Sequence, residues 1–550
     1  MPAYFINPFK KHDVSEFPGV LVPFEEAARH PSAVTKSYNN AARAASLSSS
    51  DPEKSGGVPT SGLTPYTIEA LKAEIDADIG ASGINLIYDR KSKIINKAIQ
   101  DIGMGRYQWE LFVLCGFGWF ADNFWLQGVA LTLPSLSERF GISETQVRYT
   151  TCATFIGLCL GASFWGTASD VIGRRLAFNA TLFIAGLFGL VVGSGQSWIA
   201  VCGMYAALGF GVGGNLPVDG ALFLEFLPFA SGNLLTMLSV WWPIGQLVAS
   251  LAAWGFIPNY ETDKGWRYFN ITLGAITFCM FGARFFLFHL YESPKFLLSR
   301  GRQAEAVATV HGLAYKNKRR TWLTEQILNE VGGMPEVVSD EKLPLGEIIK
   351  RQASKFSTQR IKPLFHTRKL AITTVLVWFC WTTIGMGYPL FNAFLPQYLG
   401  AGGESTYTTY RNYAITSIVG VPGSIIACYT VDIKYVGRKG TMAISTLLAG
   451  IFLFLFTTSK DPNVQVAFSS LEAFFQNVIT PEVFPAPNRG TGTGIASFLN
   501  RVAGLCAPII GANAPTSNPL VPIYVSGALF LSAFIAMCCL PIETRGKQCL

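Results

Sequence analysis

Twelve apolar stretches, each close to the roughly 20 residues a helix needs to cross a bilayer, limit what this chain can become more than any other feature. Six of them run through residues 110–134, 147–168, 176–195, 198–224, 232–257 and 266–290. After a polar interval, six more follow at 369–395, 409–431, 440–458, 463–485, 490–513 and 519–541. Backbone N–H and C=O groups in hydrocarbon must be satisfied within the segment, so runs of this length specify helices. Half of the 550 residues are hydrophobic and only 14% are charged, too few to solvate a soluble surface of this size. The expected fold class is therefore an all-α integral membrane protein: 12 transmembrane helices in two pseudo-symmetric six-helix bundles.

This reading divides the chain into five parts. Residues 1–105 hold no apolar run long enough to span, and Ser46-Leu-Ser-Ser-Ser-Asp-Pro-Glu-Lys-Ser-Gly-Gly57 is of disorder-prone composition, so a largely disordered cytoplasmic tail without a cleaved signal peptide is expected. Residues 106–291 form the first bundle, 292–368 a linker with short helices such as Gln303 to Val310, 369–541 the second bundle and 542–550 a C-terminal tail. Basic residues cluster on one side of this scheme. Lys91, Lys93, Lys97 and Arg106 precede the first span, Arg174, Arg175, Lys434, Arg438 and Lys439 lie in short connections, Lys316, Lys318, Arg319 and Arg320 in the linker, and Arg545 and Lys547 at the end. The connection from Gln397 to Tyr410 has Glu404 and neither lysine nor arginine. Positive residues collect on the cytoplasmic side, so both termini and the linker are expected there, with the plasma membrane as the default address.

The same distribution accounts for the net charge of +8 without nucleic acid. The 11 cysteines lie mostly singly inside apolar runs with no metal-ligand spacing, so they read as small apolar residues and no metal is expected. Gly209-Phe-Gly-Val-Gly-Gly214 lies within a span with no strand before it, which suits close helix packing rather than a dinucleotide. No Walker lysine motif, hydrolase constellation or kinase constellation appears, so neither ATP nor enzymatic chemistry is expected.

Two connections repeat one pattern. Gly166-Thr-Ala-Ser-Asp170-Val-Ile-Gly173-Arg174-Arg175 follows the second apolar run, and Val431-Asp432-Ile-Lys-Tyr-Val-Gly437-Arg438-Lys439-Gly440 follows the eighth. Glu292-Ser-Pro-Lys-Phe-Leu-Leu-Ser-Arg-Gly-Arg302 follows the sixth, Thr480-Pro-Glu482-Val-Phe-Pro485 and Arg489-Gly-Thr-Gly492 the tenth, and Pro541-Ile-Glu-Thr-Arg-Gly546 closes the chain. On these motifs residues 105–547 resemble the major facilitator superfamily, in its sugar-porter and synaptic-vesicle-protein-related branch. The resemblance implies two bundles rocking about a central site. It departs from sugar porters where Met204 or Tyr205 replaces an arginine, and in a seventh span reading Trp378-Phe-Cys-Trp381-Thr-Thr-Ile-Gly-Met-Gly-Tyr-Pro-Leu-Phe-Asn392. Gly213-Gly-Asn215-Leu-Pro-Val-Asp219 resembles phosphate porters, but Asn215 stands where they have aspartate. In the second loop Asp432 and Gly437 are spaced two residues wider than their counterparts.

An ionised group near the bilayer centre costs roughly 2.5–3.5 kcal/mol on insertion scales, and those that persist usually face an aqueous cavity. Asp122, midway along the first span, resembles the proton-linked aspartate of sugar porters and is expected to bind the coupled proton. Asn215 and Asp219, four residues apart, share one face of the fourth helix, where Asp219 either contacts substrate or pairs with a neighbouring helix. Glu472 and Arg501 lie in the tenth and eleventh helices. Arg501 resembles the arginine with which organic-ion carriers favour anions, and either opens onto the cavity or is neutralised by Glu472. Trp242, Gln246, Trp381 and Asn392 are candidates to line the cavity, with interhelical hydrogen bonding and interface anchoring as the alternatives.

A cytoplasmic gate is expected from Gly166, Asp170, Gly173, Arg174, Arg175, Glu225 and Glu292 of one half pairing with Asp432, Gly437, Arg438, Lys439, Glu482 and Arg489 of the other. The functional expectation is a secondary transporter, acting as a monomer without a cofactor and driven by the proton gradient. Its substrate is a sugar-like compound, a carboxylate or another organic ion, taken up by symport. Proton-antiport efflux, an inorganic phosphate carrier and a non-transporting receptor are the competing readings.

Overall fold

A computed structural model of the chain describes residues 11–27, 67–80, 87–228, 233–334, 365, 368–400, 403–430, 433, 436–478, 489–513 and 520–541. Two helices, α1 (Ile68–Gly80) and α2 (Ile87–Ile102), precede the first span. The first bundle comprises α3 (Arg106–Phe140), α4 (Tyr149–Ile172), α5 (Arg174–Val192), α6 (Trp198–Gly213) with α7 (Asn215–Phe226), α8 (Trp241–Phe256) and α9 (Thr262–Gly282). The linker supplies α10 (Pro294–Ser299), α11 (Gln303–Lys316) and α12 (Glu325–Gly332). The second bundle comprises α13 (Arg368–Asn392), α14 (Thr406–Thr430), α15 (Gly437–Thr458), α16 (Pro462–Val478), α17 (Arg489–Ala512) and α18 (Val521–Cys538).

The same packing scheme occurs twice. In the first bundle α3 packs on α8, α4 on α6 and α5 on α9; in the second α13 packs on α17, α14 on α16 and α15 on α18. The bundles meet where α8 lies against α14 and α4 against α17, and exchanging the halves turns one contact into the other. That is the pseudo-two-fold arrangement expected from the repeated sequence pattern. Outward-facing residues such as Leu160 (61% exposed) and Ile535 (62% exposed) form the apolar belt that lipid covers.

Eight helical stretches pass a length-and-hydropathy test for spanning, and α3, α8, α14 and α16 do not. Described over 16 and 17 residues, α8 and α16 are too short for the test, and α3, α8 and α14 bring Asp122, Gln246 and Ser417 to the interface between bundles, polar residues that lower mean hydropathy. The fourth span, expected to be continuous, is interrupted at Gly214, where the pair Gly213-Gly214 weakens helix continuity.

Within the tail, where a largely disordered segment is expected, the described residues 87–102 form a packed helix. Ile94, Ile95, Ala98, Ile99 and Ile102 form one buried face of α2, which packs on α10, α11 and α12 of the linker. Lys91 Nζ donates at 2.8 Å to both Gln303 Oε1 and Asn329 Oδ1. Residues 20–22 pair with Thr321 through Thr321 N to Val20 O at 2.9 Å and Val22 N to Thr321 O at 3.1 Å. Phe24 meets Trp322 edge-on at 4.8 Å. The tail and linker thus share one apolar core, whose burial overcomes the polar composition around it.

Candidate substrate site

Each bundle brings polar side chains to a layer between them. Asp122, on α3, is 5% exposed, and Arg501, on α17 of the opposite bundle, is 6% exposed. Asp122 Oδ1 and Arg501 Nη2 lie 3.5 Å apart. A tight guanidinium–carboxylate bond spans about 2.7–2.9 Å, so this contact is loose. Asp122 Oδ1 and the Nε and Nη2 atoms of Arg501 make no hydrogen bond. The alternative pairing of Arg501 with Glu472 is not what the structure shows: Arg501's carboxylate neighbour is Asp122, and both Glu472 oxygens lack a hydrogen-bond partner.

Around this pair runs a network that also joins the bundles. Gln246 Nε2, on α8, donates to Tyr388 Oη at 2.6 Å and to Asn123 Oδ1 at 3.1 Å. The Tyr388 hydroxyl donates to Asn123 Oδ1 at 3.1 Å. Asn392 Nδ2 donates to Gln476 Oε1 at 3.0 Å. A small cavity adjoins the layer, lined by Leu126, Thr151, Thr154, Phe155, Tyr388 and Asn392. Trp242 stacks on Trp119 at 4.7 Å, while the Trp381 carbonyl accepts from Asn500 Nδ2 at 2.9 Å.

Asp219 is engaged inside the first bundle. Arg284, just beyond α9, donates from Nη2 to Asp219 Oδ2 at 2.6 Å, from Nε to the Leu114 carbonyl at 2.8 Å and from Nη1 to the Phe178 carbonyl at 2.9 Å. Neither side chain of the pair reaches solvent. Of the two roles open to Asp219, the geometry is that of pairing between helices. Asn215, one turn earlier, is buried with both amide atoms unpartnered.

Residues 111–459 match the family model described as Major Facilitator Superfamily. The chain belongs to the major facilitator superfamily. It is 42% identical to the MFS siderochrome iron transporter 1 of Ceriporiopsis subvermispora, over 92% of this chain and 100% of that one. It is 38% identical to the major facilitator-type transporter hxnZ of Emericella nidulans, over 90% of this chain and 94% of that one. It is 28% identical to the synaptic vesicle 2-related protein of Xenopus laevis, over 82% of each. Among solved structures it superposes on the partially occluded, inward-open xylose transporter XylE of E. coli with a TM-score of 0.59 and 18% identity, over 80% of this chain and 99% of that one. The protein is therefore a multi-pass membrane transporter.

The superfamily's signature loop forms a closed electrostatic unit in the first bundle. Arg174 contacts Asp170 at 3.1 Å and Glu225 at 2.9 Å. Gly173 turns the chain at φ 104°, and a side chain there would meet Glu292 Oε2 at 2.7 Å. Glu292 Oε1 accepts the backbone N–H of Arg174 at 3.0 Å and of Arg175 at 3.3 Å, capping α5. Arg175 Nη1 reaches the Leu290 carbonyl at 3.4 Å. Gly166 has open space around it. In the second bundle Gly437 adopts φ 63° and Lys439 Nζ donates to the Leu540 carbonyl at 2.7 Å. Asp432 and Glu482 lie outside the described residues, as does the Arg489 side chain. The contacts described here for Gly173, Arg174, Arg175 and Glu292 lie within the first bundle.

Sequence reasoning missed two arginines. Arg284 sits inside the sixth apolar run, where an arginine needs as much explanation as Asp122 does. Arg148, at the end opposite the signature loop, donates from Nε to Gln397 Oε1 at 2.9 Å and from Nη1 to the Gly511 carbonyl at 2.7 Å, and lies over the Phe394 ring at 4.7 Å. Tyr410 Oη reaches the Leu131 carbonyl at 2.8 Å on the same side. These contacts join the bundles at that end. Arg139, Lys264, Arg267 and Arg411 lie at the same end, so charge alone gave no signal that singled out Arg148.

Proposed function

We propose that this protein is a proton-coupled secondary transporter for a small organic solute bearing a carboxylate or similar anionic group, moved by alternating access. The observation that carries the reading is the loose Asp122–Arg501 contact between bundles. Arg501 keeps donors free to take an anion bidentately, which a planar guanidinium does well. An arriving carboxylate competes with Asp122 for Arg501. Protonation of Asp122 removes that competition, so proton and anion favour one another's binding, and the tie between the bundles loosens when both are bound. Asp122 is thus the coupling group, Arg501 the anion-binding group, and Gln246, Asn392 and Tyr388 orient the rest of the solute. No cofactor is needed, since the proton gradient supplies the driving force.

In this reading the signature-loop end is cytoplasmic with both termini, and the Arg148 contacts close the outer end. The family also supports a lipid-embedded protein; a monomer and a plasma-membrane address belong to the proposal. The name of the relative from Ceriporiopsis subvermispora places an organic iron chelate among the solutes to test. The test is solute-stimulated pH change in proteoliposomes, using a panel of carboxylates, sugars, organic cations and a ferric siderochrome. Proton entry with a carboxylate-bearing solute, lost in Asp122→Asn, is the expected result. Solute entry with no proton movement, or proton movement opposite to the solute, would overturn symport.

A further inference from the structure

One buried acid takes no part in the mechanism above. Glu472 lies midway along α16, is 1% exposed, and neither of its carboxyl oxygens has a hydrogen-bond partner. It is the only charged residue in Pro462–Val478. Among the described residues the surroundings offer it no cation. On α14, packed against α16, the facing groups are Tyr413 and Thr416, and the only charged residue of that helix, Arg411, points its Nη2 to Asn412 Oδ1 at 3.3 Å. On α15, the other packed neighbour, Phe452 stacks on Phe475 at 5.8 Å, and the only charged residues, Arg438 and Lys439, stand in its first turn. From α13 come Tyr388 and Asn392, whose amide donates to Gln476 Oε1 at 3.0 Å and is the one neutral donor near the Glu472 carboxyl. Arg501 faces Asp122 instead.

A carboxylate held in such a place, with no countercharge and only the neutral Asn392 amide within reach, is less favourable ionised than as the neutral acid. A carboxylic acid there needs only one weak acceptor for its proton. Yet the group is not remote from the working layer, since Tyr388 lies within electrostatic reach of both Glu472 and Asp122. The two acids therefore belong to opposite bundles and both act electrostatically on one tyrosine. A purely structural site would be met by glutamine, which could satisfy both Asn392 and a tyrosine hydroxyl; an acid adds the capacity to gain and lose a proton.

We propose that Glu472 is a second proton-binding site, on the second bundle and separate from the Asp122–Arg501 pair. It holds a proton on its carboxyl group in the conformation described here. It exchanges that proton with water when the bundles rock and its surroundings become wet. The step is proton transfer alone: water on one side supplies the proton, and water on the other receives it. Each bundle then has its own titrating acid, and solute flux is coupled to the protonation of both.

The experiment is infrared difference spectroscopy on the full-length chain in lipid nanodiscs, taken across pH without any solute, for wild type, Glu472→Gln, Glu472→Asp and Asp122→Asn. A protonated-carboxyl carbonyl band that titrates in wild type and Asp122→Asn, disappears in Glu472→Gln and returns shifted in Glu472→Asp is expected. Absence of any band assignable to Glu472, or a band that neither titrates nor exchanges in heavy water, would show an ionised or inert group and overturn the proposal. Size-exclusion elution and helical circular dichroism identify a variant that fails to fold, in which case the titration and heavy-water exchange of the wild-type band decide. Because no transport is measured, loss of the anion-symport reading would leave this result standing, and the reverse also holds.

Discussion

Arg284 Nη2 and Asp219 Oδ2 lie 2.6 Å apart, in a pocket where neither side chain touches solvent, and the guanidinium also serves the carbonyls of Leu114 and Phe178. One arginine thereby joins α3, α5, α7 and the end of α9. Three of its donors are engaged, so the pair behaves as a rivet within the first bundle, whereas the loose Asp122–Arg501 contact joins the two bundles. In the reading proposed above, a saturated arginine belongs to the framework and an unsaturated one to the working site.

Removing one member of the rivet leaves the other as an uncompensated buried charge. Arg284→Met is expected to destabilise the first bundle by about 3–5 kcal/mol, and Asp219→Asn added to it should recover much of the loss. Thermal unfolding in detergent of the single and double variants measures this. Equal destabilisation by both would mean that the carbonyl contacts of Arg284, rather than its charge pairing, hold the bundle.

Arg501→Lys keeps a positive charge but loses the planar fork that binds a carboxylate through two parallel bonds. The apparent KM for an anionic solute should rise at least tenfold, about 1.4 kcal/mol, with a smaller change in maximal rate. Uptake kinetics in proteoliposomes give the split. An unchanged KM would remove Arg501 from the solute.

Glu292 caps α5 beyond the end of the sixth span, and its pKa is raised above 4.5, chiefly by burial, against the lowering effect of its backbone hydrogen bonds and Arg175. A carboxyl whose folded pKa exceeds its unfolded value adds stability in full below the unfolded value and loses it as pH rises through the folded one. Thermal stability should therefore decline over that interval in wild type. Glu292→Gln should flatten the decline while removing about 1 kcal/mol of capping at neutral pH. A melting-temperature series against pH tests both parts.

Much of the architecture was legible because lipid imposes a length and the chain repeats itself. The loop around Gly173 was visible for the same reason, since a charged turn between apolar runs has few explanations. Asp122 and Arg501 could each be picked out as a charge in a span, but not as a pair, because residues 379 positions apart in different bundles are joined only by tertiary packing. Asp219 lacked its partner for a different reason: Arg284 was read as part of an apolar run, although an intramembrane arginine is a signal in itself. In the tail, Ile94, Ile95, Ala98, Ile99 and Ile102 follow helical spacing, yet the lysines between them were read only as topology markers.

That tail supplies the last prediction. Trp322, 1% exposed in the linker, meets Phe24 at 4.8 Å and donates from Nε1 to Asp101 Oδ2, at the end of α2, at 2.9 Å. It is the point where the segment 11–27, the helix α2 and the linker converge. Trp322→Ala should cost about 3–5 kcal/mol locally. The cost falls on a unit that sits outside the spans, so it should appear as local opening rather than bundle unfolding. Proteolytic cleavage that tracks the opened population should then speed up by roughly a hundredfold to a few thousandfold within residues 11–27 and 87–102. The melting transition of the bundles should stay in place. Cleavage unchanged from wild type would mean that the tail is held without this contact; a lowered bundle transition would mean that the cap and the transporter core unfold as one.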